Sequence, residues 1–310
     1  MVTSVSPNTQ QLRAIKHSKG PLLIIAGAGT GKTTVITERI KYLIQDKRTD
    51  PQHILAVTFT DKAAEEMLQR LDVVMPLGYQ EPWLSTFHHF CDRILRSEGL
   101  SLGLDPDYKI LSVAEQWIFV KQHLFDFKLK YYRPLGNPTK FISALLTFFS
   151  RAQDEAISPP ELLKFAQRQP SAELTEVART YQTYQDLKIT NSVLDFGDLI
   201  TFTVNLFRTR PSVLKKYQSQ FQHILVDEFQ DTNYAQYQLI KLLAPAKSGS
   251  AGPNLVVVSD DDQAIYAWRG AALTNVLNFK QDYPQAKVVT LVKNYRSLKP
   301  ILTAAYSLIR

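Results

Sequence analysis

Residues 22–33 read LLIIAGAGTGKT, an apolar run that passes directly into a glycine-rich turn. Between Val35 and Ile44, apolar side chains then recur at the 3.6-residue period of a helix. Glycines let a backbone turn tightly and aim its N–H groups at phosphate oxygens, and the start of a helix adds a favourable dipole. The stretch therefore predicts a strand, a phosphate-binding loop and a helix, which together begin an α/β fold.

The loop predicts where a nucleotide and a magnesium ion would bind. Lys32 is placed to reach the β- and γ-phosphates, and Thr33 is placed to hold Mg²⁺. The strict pattern for such a loop begins with Gly, whereas this chain has Ala26. The residues assigned to the nucleotide are Ala26, Gly27, Ala28, Gly29, Thr30, Gly31, Lys32, Thr33 and Thr34. The loop by itself leaves both ATP and GTP open.

Four further apolar runs have the composition of buried strands, and none of them alternates cleanly with polar residues. They are Ile54–Phe59, His223–Asp227, Leu255–Ser259 and Lys287–Leu291. Helical patterns lie between strands, as at Lys62–Leu71, and the chain ends in another, Pro300–Arg310. This alternation predicts a parallel sheet covered by helices on both faces.

The alternation stops between about residues 91 and 195. Helical patterns at Ala114–Phe127 and Phe141–Arg151 are separated by loop signals such as Arg133–Pro138, and strand signals are absent. Because the strand pattern resumes afterwards, we expect an all-helical subdomain inserted into the α/β domain.

Length and composition give weaker constraints. A chain of 310 residues suggests about two domains. The net charge of +7 arises mostly in residues 287–310, which hold five Lys or Arg and no acid, so it is poor support for a nucleic-acid partner. The single cysteine, Cys91, excludes a disulfide within the chain, and no secretion signal or membrane-spanning run is visible. We expect a soluble cytoplasmic protein.

An acidic pair supplies the partner that a phosphate loop needs. Asp227 ends an apolar run, and the carboxyl ends of parallel strands lie at the sheet edge where ligands bind. Asp227 is therefore predicted to hold Mg²⁺, and Glu228 to act as the general base that polarises the attacking water. The alternative is a pair of solvated surface acids.

Three blocks then carry a family resemblance: Asp227–Thr232 (DEFQDT), Asp260–Ala271 (DDDQAIYAWRGA) and Asn294–Ser297 (NYRS). With the phosphate loop, and in this order, the chain resembles the UvrD/Rep-like superfamily 1 DNA helicases from about Pro7 to its end. The resemblance implies a P-loop NTPase of RecA-like fold. It implies a first RecA-like domain in residues 1–90 and 196–281, a helical insertion in 91–195, and the beginning of a second RecA-like domain in 282–310.

The resemblance also implies roles for residues around the nucleotide. Gln11 corresponds to the glutamine that reads adenine, Arg39 to an arginine near the base, and Tyr295 to a residue that stacks on adenine. Gln263 corresponds to a sensor of the γ-phosphate. Arg296 corresponds to an arginine that contacts the γ-phosphate across the cleft, where it would stabilise charge on the transferring group. The predicted catalytic residues are Lys32, Asp227, Glu228, Gln263 and Arg296.

The DNA contacts implied by the resemblance are Phe59, Thr86, His88, Tyr266, Trp268 and Arg269. Stacking of bases on Tyr266 and Trp268 would give a grip that tolerates any base sequence, and core packing is the alternative. Burial in the core is also open for Phe59, and packing or capping on a helix for His88. The run Lys128–Arg133 (KLKYYR) is either a patch that binds duplex DNA or a solvated helix end with packed tyrosines.

The sequence thus predicts an ATP-dependent helicase or translocase that uses ATP and Mg²⁺. Its expected partners are single-stranded DNA, junctions of single- and double-stranded DNA, and proteins of DNA repair or replication, with no membrane. The resemblance implies 3′-to-5′ movement. Family motifs that follow NYRS are missing, so we expect weak activity from this chain alone. The alternatives are a nucleotide- and DNA-binding fragment without unwinding activity, the front part of a helicase–nuclease, and, more weakly, a metabolic kinase.

Overall fold

The protein divides into two compact units in a computed structural model. Residues 1–90, 212–232 and 240–310 form the first, here called the sheet unit, and residues 91–211 and 233–239 form the second, the helical unit. The residues that the structure describes are 6–73, 75–76, 78–246, 252–260 and 273–309. Within that part of the chain, no helix is both long enough and apolar enough to cross a membrane.

The sheet unit is built on six strands that all run parallel, in the spatial order β3-β2-β6-β7-β1-β8. The strands are β1 Leu22–Ala26, β2 Ile54–Thr58, β3 Trp83–Thr86, β6 His223–Val226, β7 Leu255–Ser259 and β8 Lys287–Leu291. Helices α1 Thr9–Ile15, α2 Lys32–Gln45, α3 Asp61–Asp72, α10 Pro211–Gln220, α12 Leu273–Asp282 and α13 Lys299–Ile309 accompany them. This arrangement confirms the predicted α/β class with a parallel sheet flanked by helices.

The core of the sheet unit explains why these strands form. Leu22, Ile24 and Ala26 of β1 are buried together with Ile36 and Ile40 of α2 in one apolar cluster. Burying an aliphatic side chain of this size contributes about 1.5–3 kcal/mol. The pattern of unbroken apolar runs therefore reflects strands that are covered on both faces.

One strand of this sheet was not predicted. Strand β3 lies at the sheet edge, and its sequence WLST mixes polar and apolar residues because three of its four residues are only half-buried. Two predicted strands are one residue too long, since β2 ends at Thr58 and β6 ends at Val226. Phe59 and Asp227 therefore follow their strands, in the positions where side chains reach a ligand.

Strand β8 forms the opposite edge of the same sheet. It pairs in parallel with β1, with Leu22 opposite Lys287 and Ala26 opposite Leu291. The predicted boundary at residue 282 separated this strand from the first domain, whereas in the structure it belongs to the sheet unit. Whether the residues beyond it begin a second RecA-like domain stays a prediction.

The helical unit contains five helices within its continuous segment: α5 Val113–Gln122, α6 Ile142–Asp154, α7 Pro159–Ala166, α8 Ala172–Thr190 and α9 Phe196–Thr209. Two more helices, α4 Phe87–Glu98 and α11 Tyr234–Leu243, cross the boundaries between the units in the sequence, as does α10 at its first residue, Pro211. The expectation that strands are absent here was wrong, because β4 Lys109–Ile110 and β5 Val193–Leu194 form a short parallel pair. The unit also continues to Pro211, beyond the predicted boundary at residue 195.

Aromatic rings fill the centre of the helical unit. Phe149 of α6 is stacked with Tyr181 of α8 at a centroid distance of 5.0 Å, and with Tyr184 of the same helix at 5.3 Å. All three side chains are almost completely buried. Stacked rings of this kind add about 0.5–1.5 kcal/mol each beyond their buried area.

A buried charge cluster ties three helices of this unit together. The ammonium of Lys188 on α8 donates to Asp195 Oδ2 and to Asp198 Oδ2, at 2.5 Å each. Gln153 Nε2 on α6 donates to the other oxygen of each carboxylate, at 2.9 Å. Asp195 also caps the start of α9 through the N–H of Asp198. The cluster therefore fixes the segment that leads into α9.

Removing the buried ammonium should destabilise the helical unit. Lys188→Ala leaves two carboxylates buried without a cation, so we expect the free energy of unfolding to fall by about 3–5 kcal/mol. Chemical denaturation with a probe in this unit measures the change. Lys164→Ala on the exposed face of α7 is the control and should change stability by less than about 0.5 kcal/mol. Equal stabilities of the two variants would contradict a structural role for the cluster.

Candidate active site

The parallel sheet collects functional side chains at one edge. The carboxyl ends of all its strands face the same way, so the residues that follow them are brought close together. The phosphate loop follows β1, Asp227 follows β6, and Asp260 follows β7. Phe59 and Thr86 stand at the ends of the neighbouring strands β2 and β3. This order places the predicted nucleotide residues beside the predicted DNA residues on one sheet.

The phosphate loop depends on two left-handed glycines. Gly29 has a φ of 71° and Gly31 a φ of 88°, values that strain any residue with a side chain. The hydroxyl of Thr30 donates to the carbonyl of Gly27 at 2.7 Å and closes the turn. A Cβ added at Gly31 would lie 2.9 Å from Gln11 Nε2. The loop is therefore both bent and closely covered by another segment.

Gln11 is that covering residue, and it is held in place from both sides. Its Nε2 donates to the carbonyl of Thr30 at 3.0 Å. Its Oε1 accepts from the N–H of Asn8, whose own Oδ1 accepts from the N–H of Gln11, both at 2.9 Å. This reciprocal cap begins α1 and fixes the glutamine against the loop.

The NYRS segment meets the same loop from the other side. Asn294 Nδ2 donates to the carbonyl of Ala28 at 2.5 Å, and the N–H of Tyr295 donates to the carbonyl of Gly29 at 2.8 Å. Asn8 Nδ2 also donates to the Tyr295 hydroxyl at 2.9 Å. A Cβ at Gly29 would lie 2.6 Å from the Cβ of Arg296. Segments nearly 290 residues apart thus converge on one turn, and the nucleotide contacts assigned to Tyr295 and Arg296 stay predictions.

Arg39 has a position that the sequence did not reveal. It is almost fully buried, and its Nη1 donates to the carbonyls of Ala14, Ile15 and His17 at 3.1, 2.9 and 2.9 Å. The carbonyls of Ala14 and Ile15 end α1, the helix that carries Gln11, and that of His17 lies just beyond it. A cation at a helix C-terminus is favourable. Arg39 therefore positions α1, and its predicted place beside the base stays a prediction.

Lys32 is paired with acids that the sequence analysis did not connect to it. Its Nζ donates to Asp260 Oδ2 at 2.8 Å and lies 3.7 Å from Glu228 Oε2. Lys32 and Asp260 are both buried. The ends of β6 and β7 thus supply the anions that hold the loop lysine.

Gln230 joins those two strand ends. Its Nε2 donates to Glu228 Oε2 at 2.7 Å, and its Oε1 accepts from the N–H of Asp260 at 2.9 Å. Glu228 has a φ of 48°, an uncommon value for a residue with a side chain, and the hydrogen bond from Gln230 fixes its carboxylate. Sequence reasoning missed this role, although the glutamine is part of the DEFQDT block.

The acids at this edge carry a charge imbalance that suits a divalent cation. Burial, followed by the charge of Glu228, raises the pKa of Asp227 to about 7. The same two causes raise the pKa of Asp231 to about 6. Asp231 Oδ1 is buried and has no hydrogen-bond partner among the described residues. Mg²⁺ binds one or two protein oxygens together with phosphates and water, so the buried carboxylate of Asp227 is chemically suited to it, and the assignment of Thr33 and Asp227 to the metal stays a prediction.

Among residues 6–73, 75–76, 78–246, 252–260 and 273–309, no group of three or more His, Cys, Asp or Glu side chains could hold a metal ion.

The predicted DNA residues are only partly described. Thr86 is buried, and its Oγ1 accepts from the N–H of His89 at 3.3 Å, so its observed contact supports the start of α4. Phe59 and His88 are half-buried. Gln263, Tyr266, Trp268 and Arg269 lie outside the described residues. The assignment of all these side chains to DNA or to the γ-phosphate stays a prediction.

A family model confirms the resemblance. Residues 7–284 match the model of the UvrD/REP helicase N-terminal domain. The chain belongs to this family.

Individual relatives agree with the family assignment. The chain is 44% identical to the ATP-dependent DNA helicase PcrA of Bacillus subtilis over 304 residues, which are 98% of this chain and 39% of that protein. Proteins of the same name from Staphylococcus aureus and Staphylococcus epidermidis are also 44% identical over 303 residues, 98% of this chain and 40% of each of them. The chain therefore spans about two fifths of the length of these UvrD/REP relatives.

Because its pKa is raised, Asp227 is predicted to lower the stability of the folded chain at high pH. An acid whose pKa rises from 3.8 unfolded to about 7 folded costs stability as the pH rises through that range. One pKa unit corresponds to about 1.4 kcal/mol, so the loss in free energy of unfolding reaches at most about 4 kcal/mol at pH 8. Asp227→Asn should therefore raise the thermal midpoint at pH 8, and the gain should vanish below pH 4.

The exposed Asp46→Asn is the matched control and should not change the thermal midpoint at either pH. A gain from Asp227→Asn that is equal at pH 8 and pH 4 would contradict a raised pKa at Asp227.

Proposed function

We propose that this chain is the ATP-binding part of an ATP-dependent DNA translocase or helicase that acts on single-stranded DNA. The observation that carries the proposal is the convergence of Gln11, the phosphate loop and Tyr295 beside buried Lys32, buried Asp227 and half-buried Glu228. A turn that only shaped the fold would need neither a buried lysine nor a buried acid with a raised pKa. Membership of the UvrD/REP family supports ATP as the nucleotide.

The residues at the sheet edge have distinct tasks in this proposal. Lys32, which pairs with Asp260 in the structure, would bind the β- and γ-phosphates. Thr33 and Asp227 would hold Mg²⁺, which would neutralise charge on the phosphates. Glu228, fixed by Gln230, orients the attacking water and accepts its proton. Gln263 and Arg296 report and stabilise charge on the γ-phosphate.

DNA would bind at the same edge of the sheet, the one formed by the carboxyl ends of the strands, beside the ends of β2 and β3. Phe59 follows β2, Thr86 ends β3 and His88 lies shortly after it. Strand β2 pairs directly with β6, which leads to Asp227 and Glu228. A change in the charge or position of Asp227 and Glu228 would therefore occur one strand away from Phe59, the proposed DNA contact that follows β2. Tyr266, Trp268 and Arg269 would complete the grip by stacking on bases. Movement from 3′ to 5′, junction binding and contacts with repair or replication proteins are carried over from the family resemblance.

A second candidate function is nucleotide and DNA binding without unwinding by this chain alone. It rests on the observed contacts of the phosphate loop, which bear on nucleotide binding and not on unwinding. ATPase assays with and without oligo-dT separate the two. Strong stimulation by oligo-dT supports a motor, whereas binding of both ligands without stimulation supports a binding unit.

Loss of the loop lysine should abolish the nucleotide site. Lys32→Ala removes the cation that the phosphates require, so we expect ATP affinity to fall at least about a hundredfold, equivalent to about 2.7 kcal/mol. Fluorescent ATP analogues measure the affinity for this chain, and DNA-stimulated ATPase measures the activity. Lys41→Ala, farther along α2 and partly exposed, is the control and should bind normally. Unchanged ATP binding by Lys32→Ala would contradict the assignment of the site.

Gln11 should determine the choice of base. Gln11→Ala removes the amide that is fixed against the loop, so ATP affinity should fall about tenfold, while GTP affinity should change little. Competition binding with both nucleotides measures the ratio. Gln10→Ala, the neighbouring position on α1, is the control. If both affinities fell by the same factor, Gln11 would support the loop only and would not read adenine.

A further inference from the structure

Asn8 lies between the two segments that cover the phosphate loop, and it contacts a key residue of each. Its Oδ1 accepts from the N–H of Gln11, and its own N–H donates to Gln11 Oε1, both at 2.9 Å. Its Nδ2 donates to the hydroxyl of Tyr295 at 2.9 Å, across 287 positions of sequence. One asparagine therefore touches both of the residues that are proposed to bind the adenine base.

The cap of α1 uses only part of the Asn8 side chain. A cap needs an acceptor for an N–H group in the first turn, and serine or aspartate supplies it as well as asparagine does. The donor Nδ2 is not needed for this purpose, yet it is directed to the Tyr295 hydroxyl. The amide group therefore has a second task that a serine at position 8 could not perform.

The Tyr295 ring is restrained at several points but stays open to solvent. The N–H of Tyr295 donates to the carbonyl of Gly29 at 2.8 Å, and the Lys293 ammonium lies 5.1 Å from the centroid of the ring. The side chain is 40% exposed. A backbone contact alone leaves the side-chain rotamer of a tyrosine free to change. The bond from Asn8 to the tip of the ring is the contact that fixes its direction.

Both covering segments have anchors of their own. Arg39 donates to the carbonyls at the C-terminal end of α1. Asn294 holds the NYRS segment, because its Nδ2 donates to the carbonyl of Ala28 and its Oδ1 accepts from the N–H of Arg296. The backbones of the two segments are therefore fixed without the Asn8 amide group. What this group adds is the orientation of one aromatic side chain.

We propose that Asn8 is a positioning residue for the nucleotide base. Its Nδ2 holds the Tyr295 ring ready to stack on the base, while its N–H and Oδ1 hold Gln11 ready to read the edge of the base. The inference rests on the proposed ATP site and deepens it by naming the residue that organises its base-binding end. A side chain that is ordered before binding need not be ordered during binding, and affinity rises accordingly.

Two single variants remove the same hydrogen bond from opposite ends. Asn8→Ser keeps the cap acceptor and the backbone N–H, and Tyr295→Phe keeps the ring. Each should lower ATP affinity about fivefold, because the ring must then be ordered when the base binds. The double variant should show the same loss as either single variant, because one bond can be removed only once. Competition against a fluorescent ATP analogue measures the affinities.

Two further ligands locate the effect within the site. Inorganic tripolyphosphate has no base, so its affinity should be equal in the unaltered chain, Asn8→Ser and Tyr295→Phe. GTP affinity should fall by the same factor as ATP affinity, because an aromatic ring stacks on any base. This pattern differs from that of Gln11→Ala, which should weaken ATP binding alone.

Matched controls make the same chemical changes elsewhere. Tyr79→Phe removes a hydroxyl that donates to Asp72 at 2.7 Å in the sheet unit, and Asn205→Ser replaces an exposed asparagine on α9. Neither should change the affinity for ATP. Asn8→Ser should keep the thermal midpoint of the unaltered chain, because serine is an equally good cap.

Three results would overturn the inference. They are ATP affinities of Asn8→Ser and Tyr295→Phe that equal those of the controls, losses that multiply in the double variant, and a loss of tripolyphosphate affinity equal to the loss of ATP affinity. The last result would mean that Asn8 supports the phosphate loop and not the base. Failure of the proposed ATP site would appear separately, as ATP binding that survives Lys32→Ala.

Discussion

Gly29 and Gly31 allow three distant segments to share one turn. Each has a backbone that a side chain would strain, and each lacks the Cβ that would collide with Arg296 or with Gln11. The close approach lets the carbonyls of Gly29 and Thr30 accept from the NYRS segment and from Gln11. A larger residue at either position would separate the turn from its cover as well as block a phosphate. Gly29 and Gly31 therefore determine both the geometry of the proposed nucleotide site and the packing of the segments around it.

Buried acids outnumber buried lysines around Lys32. Three buried acids, Asp227, Asp231 and Asp260, surround one buried lysine, and burial raises the pKa of two of them. Such an excess of buried carboxylates costs stability. In the proposed function, a divalent metal and the phosphates of a nucleotide would bring charges of both signs, which would pair with the carboxylates and with Lys32.

Sequence patterns located the features that depend on local chemistry. Apolar runs gave five of the six strands of the main sheet, and the positions of Lys32 and Asp227 followed from the strand ends. Features that depend on tertiary contacts were missed. Strand β3 is half-exposed at an edge, so its pattern is weak. The pairing of Lys32 with Asp260 and the bridge made by Gln230 join residues of different strands, and no spacing rule reports them. Arg39 likewise acts on backbone carbonyls, which carry no sequence signal.

The two units hold segments of irregular backbone in place in different ways. In the sheet unit, the loop carbonyls accept from side chains and N–H groups of other segments, and glycine supplies the unusual backbone angles. In the helical unit, the successive N–H groups of Lys130, Tyr131 and Tyr132 donate to the Glu176 carboxylate, and apolar side chains on either side anchor the segment. Both satisfy buried or crowded backbone groups without regular secondary structure, as any ordered loop must. An exposed ring on such a loop is fixed by its backbone, so the positions of Phe125 and Tyr131 are properties of the fold and not of a flexible connection.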